Sequence, residues 1–197
     1  MEINMIYDIT QPIFSCAVFP GDPAPKREVL ADMQKGNIIN LTAFSMCAHN
    51  GTHVDAPAHF IKNGKTVDQL DLSVFVGDCY VARHEGDVTA QDARRILDHA
   101  AKAGASERIL IAGKALVTEA AARVFAHAGI KLLGNESQTV GPEDAPMQVH
   151  LILLGAEVAL LEGVVLSRVP EGKYFLSAAP LNLNGCEGAP CRAVLIS

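Results

Sequence analysis

The chain has 197 residues, of which 49% are hydrophobic and 19% charged, and its formal net charge is −6. This length predicts one well-buried core and a single domain over residues 1–197, and the high apolar content predicts a subunit interface. The acidic balance and the lack of a Lys/Arg-rich stretch exclude nucleic acid as a partner, while the lack of a long apolar run or a signal-peptide pattern excludes a membrane span and predicts a cytoplasmic protein.

The first part of the chain is predicted to contain short strands joined by turns. Residues 3–9 are typical of a short edge strand, and three prolines keep residues 18–25 out of a helix. Residues 38–46 follow a period close to two, which indicates a further strand. That strand leads into residues 49–59, where glycine, proline and several small residues favour a tight loop over a helix.

Strand and helix alternate in the middle of the chain. Thr89 is a candidate N-cap for a helix over residues 91–103. Thr118 is a candidate N-cap for a second helix, which runs through His127 and is stopped by Gly129. This alternation predicts parallel pairing of the strands between the helices. The remaining strands are predicted at residues 75–82, 108–112, 130–133, 158–161, 174–177 and 192–196.

Three of the chain's seven histidines lie within residues 49–59, close to Asp55. His49 and His53 can each offer a neutral imidazole to one cation, and the two oxygens of Asp55 can bridge two cations. This cluster therefore predicts a metal site. The alternative is a hydrogen-bonded loop whose side chains only satisfy backbone groups.

Further metal ligands must come from a distant part of the chain. His150 and either Glu157 or Glu162 are the candidates, because they lie in the otherwise apolar stretch 149–166, where an unpaired carboxylate would be costly to bury. Taken alone, His150 is equally well explained as a hydrogen-bonded core histidine.

Other catalytic chemistries find little support in the sequence. The five cysteines are widely spaced and form no CxxC pair, so neither a disulfide framework nor a zinc ribbon is indicated. No GxSxG or Walker motif is present, and nucleotide cofactors are not implied. Cys47 lies two residues before His49, but no third group that would orient a Cys/His pair is evident.

The segment from His49 to Phe60 reads HNGTHVDAPAHF and closely resembles the HxGTHxDxPxHF signature of the cyclase family, which includes bacterial kynurenine formamidases. The resemblance extends to YDITQP at 7–12, FPGD at 19–22, LLG at 132–134 and the C-terminal strands, and so spans nearly the whole chain.

This resemblance implies a metal-dependent hydrolase with a swivelling β/β/α-type α/β fold, in which helices flank a mixed sheet. It also implies a homodimer or homotetramer that holds two divalent ions per subunit, zinc or alternatively manganese. The implied metal ligands are His49, His53 and the bridging Asp55, then His150 and Glu162, whose twelve-residue spacing suits the family better than Glu157 does. The implied acid/base residue is His59, for which a ligand role is the alternative, and the implied substrate-pocket residue is Phe19.

The small-molecule substrate implied by the resemblance is an aryl formamide. The example is N-formyl-L-kynurenine from tryptophan catabolism, which metal-activated water would split into kynurenine and formate. Phe19 stands where these formamidases tend to have tryptophan, and Glu136–Thr139 replaces their usual Asp-Ser/Thr-Pro-Ser run. Two alternatives therefore stay open. One is hydrolysis of another cyclic amide or a lactone, as in isatin-like substrates, and the other is a non-catalytic metal-binding or ligand-binding protein of the same fold.

Overall fold

The computed structural model describes residues 5–197, which form strands and helices in an α/β arrangement. The strands are, in chain order, β1 (Ile6–Asp8), β2 (Lys26–Ala31), β3 (Leu41–Ser45), β4 (His53–Asp55), β5 (Val76–Arg83), β6 (Gly86–Val88), β7 (Arg108–Ala112), β8 (Ala115–Val117), β9 (Leu132–Asn135), β10 (Ala159–Glu162), β11 (Gly172–Ser177), β12 (Gly188–Pro190) and β13 (Val194–Ile196). The α-helices are α1 (Ala90–Lys102), α2 (Glu119–Ala128) and α3 (Met147–Gly155).

Nine strands form one mixed sheet in the order β1-β13-β11-β5-β7-β9-β10-β4-β12. Its centre, from β5 through β7 and β9 to β10, is parallel, because a helix connects each of these strands to the next. The outer strands pair antiparallel. The predicted α/β class, with a mixed sheet and flanking helices, is confirmed, as are the parallel centre and β1 as an edge strand. Residues 3 and 4 of the predicted first strand lie outside the described residues.

Two of the helices begin where the sequence predicts. The Thr89 side chain accepts a hydrogen bond from the backbone of Asp92, whose carboxylate bonds back to the backbone of Thr89 in a capping box. The Thr118 side chain caps α2 by accepting a hydrogen bond from the backbone of Ala121, without a capping box, and Gly129 ends α2 with φ of 68°, a left-handed conformation that glycine adopts without strain. Within residues 5–197, no helix combines the length and apolarity needed to cross a bilayer.

The core lies on both faces of the central strands, because consecutive strand residues point to opposite sides. The first face carries the buried residues Leu110, Leu132 and Leu161. The opposite face carries the buried residues Ile109, Leu133 and Leu160, which join Phe125 of α2 and Leu153 of α3. Fully burying each such side chain contributes about 1.5 to 3 kcal/mol, and this packing holds the helices against the sheet.

The structure corrects one sequence prediction and adds two features that the sequence did not predict. Residues 53–55 of the predicted loop form β4, which pairs with β10 and β12 inside the main sheet. Strand β3 was predicted, but it lies outside the main sheet and pairs only with β2 in a hairpin whose side chains are largely exposed. Helix α3 was missed because it is apolar on all sides, and its N-cap, Pro146, makes no side-chain capping bond.

Candidate metal centre

Four elements bring the predicted metal ligands and His59 together at one end of the sheet. Strand β4 carries His53 and Asp55, α3 carries His150, and β10 ends at Glu162. His49 lies in the turn before β4, and His59 ends a short 3-10 helix, Pro57–His59, after it. Antiparallel pairing of β4 with β10 places His53 directly opposite Glu162, so sheet register brings together residues 109 positions apart in the sequence.

Two carboxylates and two imidazoles form the buried centre of this cluster. The Nε2 atom of His53 lies 3.4 Å from Oδ1 of Asp55 and 3.5 Å from Oε2 of Glu162. The Nε2 atom of His150 lies 3.6 Å from the other Asp55 oxygen, Oδ2, and 3.3 Å from the other Glu162 oxygen, Oε1. Each carboxylate thus offers one oxygen to each imidazole, as two ligands bridging a pair of cations would.

The hydrogen bonds around these imidazoles fit metal ligation. Nδ1 of His53 lies 2.9 Å from the carbonyl oxygen of Gly51, and Nδ1 of His150 lies 2.9 Å from that of Pro146. Because a carbonyl oxygen only accepts, both Nδ1 atoms carry a hydrogen, so each Nε2 atom faces the carboxylate oxygens and is the ring nitrogen that would bind a cation in place of a proton. Oδ2 of Asp55 is buried without a hydrogen-bond partner. A cation between these atoms would satisfy all of them, and imidazole with carboxylate is a donor set that zinc accepts.

The pKa shifts of His53 and Asp55 arise from the same close contacts between imidazoles and carboxylates. Burial lowers the pKa of His53, but Asp55 and Glu162 outweigh it and raise that pKa to about 10. Burial likewise opposes ionisation of Asp55, yet His49 and His53 hold its pKa well below the usual range. Without metal, a proton on His53 therefore balances the buried carboxylates. A divalent cation bound between these atoms would take the place of that proton.

His49 and His59 lie at the more open side of the cluster. Nδ1 of His49 is 2.8 Å from Oδ1 of Asp55, and the rings of His49 and His59 stack with centroids 4.1 Å apart and an interplanar angle of 24°. The His59 side chain is 29% exposed, and its Nε2 lies 4.0 Å from Oδ2 of Asp55. Burial lowers the pKa of His59, which leaves the ring neutral near pH 7.

A cavity of about 260 Å³ opens onto these imidazoles. Phe19, the predicted substrate-pocket residue, lines it together with Asp22, Phe60 and Gln138. Two larger cavities lie elsewhere and contain none of the predicted ligands. The smaller cavity is therefore the candidate substrate site, since it alone among the three contacts the histidine cluster.

The structure also distinguishes Glu157 from Glu162, the two glutamates that the sequence offers as alternative metal ligands. Glu157 is largely exposed, and its carboxylate pairs with Nζ of Lys65 at 2.9 Å, whereas Glu162 is 2% exposed within the cluster. Sequence reasoning missed Glu187, whose Oε1 lies 3.2 Å from Nε2 of His49. Glu187 stands in a Gly-rich turn, and no local pattern pointed to it.

Comparisons with known proteins identify a family and a shared fold. The chain matches the family model named Cyclase over residues 7–142. A kynurenine formamidase of Bacillus anthracis is 33% identical to it over an alignment of 211 positions that covers 99% of each chain. Among solved structures, a potential metal-dependent hydrolase with cyclase activity matches with a TM-score of 0.83 and 29% identity, covering 98% of each chain. Isatin hydrolase A of Labrenzia aggregata shares the fold, with a TM-score of 0.81 and 21% identity over 98% of this chain and 93% of the other.

Proposed function

The chain belongs to the Cyclase family, and from this membership and the geometry of its histidine–carboxylate cluster we propose that it is a metal-dependent hydrolase of aryl formamides. N-formyl-L-kynurenine, split into kynurenine and formate, is the expected substrate. Kynurenine formamidases align with the chain almost from end to end. The observation that carries the proposal is the pairing of each oxygen of Asp55 and Glu162 with a different imidazole.

We propose that the cluster holds two divalent cations, zinc or alternatively manganese. His49, His53 and Asp55 would hold the first, His150 and Glu162 the second, and the two carboxylates would be shared between them. When bound, such ions act as Lewis acids that acidify water and polarise a carbonyl oxygen. The convergence of both Nε2 atoms on carboxylate oxygens and the unpartnered Oδ2 of Asp55 support this assignment.

We propose His59 as the residue that moves protons. Its ring lines the cavity and is more exposed than His53 or His150, so it can exchange a proton with a bound substrate. Because burial lowers its pKa, the ring is free to accept a proton from water near pH 7. Returning that proton to the departing amine is the step an amide needs, since an unprotonated amine leaves poorly.

The aromatic side chains of the cavity suit an aryl substrate. Phe19 and Phe60 line the same space as His59, and aromatic rings pair with one another in stacked or edge-on contacts worth about 0.5 to 1.5 kcal/mol. Phe19 lacks the ring nitrogen of tryptophan, so its contact with the substrate would be apolar. The N-terminal turn that carries Phe19 would then select for the ring rather than for the formyl group.

The deciding experiment measures metal content and hydrolysis on the same preparation. Protein loaded with Zn²⁺ or Mn²⁺ should bind two equivalents and release kynurenine from N-formyl-L-kynurenine, while chelated protein should not. Isatin and a simple lactone are assayed in parallel. Two bound equivalents with no turnover of the aryl formamide would contradict the proposal, and turnover of isatin alone would favour the cyclic-amide alternative.

One observation favours that alternative. The cavity, at about 260 Å³, lies below the roughly 300 to 1,000 Å³ of most small-molecule sites. A single fused ring system fills such a volume more easily than an aryl ring that bears an amino-acid side chain. The ratio of the kcat/KM values for isatin and for N-formyl-L-kynurenine distinguishes a cyclic-amide hydrolase from an aryl formamidase.

We propose further that the protein forms a homodimer or homotetramer through the β2–β3 hairpin. A two-stranded hairpin alone is marginally stable in water, and this one exposes a cluster of large apolar side chains of the kind that marks an interface. The exposed residues are Val29, Leu30, Met33, Ile38, Ile39, Leu41 and Phe44. Replacing Ile38 and Ile39 with serine should shift the sedimentation profile toward monomer, whereas serine at the exposed Leu72 should not.

A further inference from the structure

Glu187 lies at the edge of the sheet, beside His49. Strand β12 pairs with β4 so that Gly188 is opposite Asp55, and the carbonyl oxygen of Glu187 accepts a hydrogen bond from the backbone of Ala56 at 2.8 Å. These bonds fix the backbone of Glu187 next to the strand that carries the metal ligands. Its carboxylate, with 45% of the side chain exposed, reaches Nε2 of His49 at 3.2 Å.

The His49 ring is therefore held between two carboxylates. Its Nδ1 lies 2.8 Å from Oδ1 of Asp55, on the side where the other ligand atoms converge. Within residues 5–197, two groups of three donor residues have ligand atoms within 4.8 Å of one another, and Glu187 belongs to neither. Those groups are His49–Asp55–His59 and His53–Asp55–Glu162. The Nδ1 side of His49 thus faces the assembled site, and the Nε2 side faces a single carboxylate.

We propose that Glu187 is a positioning residue: it accepts the Nε2–H of His49 and so aims the Nδ1 lone pair at the cation shared with Asp55. The inference rests on the proposed metal centre and adds a residue outside its ligand set. A carboxylate that accepts from the far nitrogen of a ligating imidazole fixes the tautomer and raises the basicity of the ligating nitrogen. His53 and His150 use backbone carbonyls for the same purpose, so His49 is the one of these three imidazoles whose nitrogen facing away from the proposed cations has a charged partner.

Packing extends the influence of Glu187 to His59. A Cβ atom at Gly188 would lie 2.6 Å from Cε1 of His49, so the first residue of β12, next to Glu187, packs closely against the His49 ring. The His59 ring stacks on the same His49 ring with an interplanar angle of 24°. The orientation that Glu187 imposes on His49 is therefore passed to the residue proposed to move protons.

The test compares Glu187→Ala, Glu187→Gln and Glu187→Asp with wild type, and uses Glu143→Gln, at an exposed glutamate, as the matched control. The affinity of each Zn²⁺ is measured by competition with a chromophoric chelator, and the ligand field is followed in the Co²⁺-substituted protein. Glu187→Ala should weaken the binding of one of the two cations about 10- to 100-fold, leave the affinity of the other and the unfolding midpoint of the chelated protein unchanged, and lower kcat. Glu187→Gln keeps an acceptor oxygen and should lose less, and Glu187→Asp should recover part of the affinity.

Two results would overturn the assignment. Zn²⁺ affinities of Glu187→Ala equal to those of wild type and Glu143→Gln would remove any role for Glu187. Equal loss of the cation in Glu187→Gln and Glu187→Ala, with a changed coordination number in the Co²⁺ spectrum, would make Glu187 a ligand instead. If wild type itself binds no Zn²⁺, the proposed function fails as well, so the two failures are distinguishable.

Discussion

Removing the divalent cations should make the stability of the protein depend on pH in a defined direction. In the metal-free protein, Asp55 and Glu162 raise the pKa of His53 to about 10 against burial, whereas the unfolded chain should titrate near 6.5. The folded state then holds a proton that the unfolded state releases. This contribution to stability is fully present below pH 6.5 and is lost as the pH rises toward 10.

The expected loss of stability follows from the slope of the free energy of unfolding against pH between the folded-state and unfolded-state pKa values of His53. One retained proton changes the free energy of unfolding by about 1.4 kcal/mol per pH unit, so His53 alone predicts a loss of about 2 to 3 kcal/mol between pH 6.5 and 8.5. The pKa values of His49 and His150 are also raised, burial being outweighed by carboxylates, and add to the loss. In loaded protein the cation replaces the proton, and the slope should nearly vanish.

Urea unfolding followed by circular dichroism at pH 6.5, 7.5 and 8.5, with chelator or with Zn²⁺, measures both slopes. His53→Gln should flatten the slope of the chelated protein, while His127→Gln, at an exposed position of α2, should leave it unchanged. Stability of the chelated protein that stays constant or rises across this window would refute the reasoning. It would mean that the two carboxylates are not balanced by a proton on His53.

Four further substitutions test the site and the core. His59→Ala should keep its metal, by elemental analysis, yet lose about 100-fold or more in turnover, and loss of a cation instead would make His59 a ligand. Asp55→Ala should lose both cations together in the same analysis, because its two oxygens face different imidazoles. Gly188→Ala, whose Cβ would meet His49 at 2.6 Å, should weaken Zn²⁺ binding in a chelator competition, and an unchanged affinity would contradict that contact. Phe125→Ala removes a fully buried ring and should lower the free energy of unfolding by about 3 to 5 kcal/mol in a urea titration, with the Zn²⁺ stoichiometry of the folded protein retained.

The parts of the fold that the sequence predicts are those in which local signals agree. Helices α1 and α2 combine an apolar stripe with a threonine N-cap, and a glycine follows each of them. Strand β7, between these helices, is a fully buried run of mostly apolar residues. Helix α3 has neither a polar face nor a capping side chain, so its apolar run is indistinguishable from a buried strand in the sequence. Its helical state follows from packing against β10 and α2.

The proposed ligand residues also divide into those that a local pattern predicts and those that it does not. His49, His53 and Asp55 are close in sequence and form a local pattern, whereas His150 and Glu162 were assigned through the family resemblance and the cost of burying a lone carboxylate. No such cost applies to Glu187, which is half-exposed. Its position beside His49, from which it is 138 residues distant in the chain, depends on the pairing of β12 with β4. Long-range strand pairing of this kind leaves no trace in local composition.

The prediction of a loop at residues 53–55 was wrong for a reason that also explains the site. In a strand, residues two apart share a face, so the His-x-Asp spacing in β4 places His53 and Asp55 on the same side of the sheet. Register with β10 sets Glu162 opposite His53. Leu160, on the same face of β10 as Glu162, packs in the cluster that contains Leu153 of α3. That face is therefore the one covered by α3, and His150 of α3 meets the two carboxylates there.

A flexible loop would have to be ordered by the metal. A strand fixed by backbone bonds on both edges assembles the carboxylates and imidazoles before any cation arrives, which is why the metal-free protein must hold a proton at His53 and why its stability should follow pH.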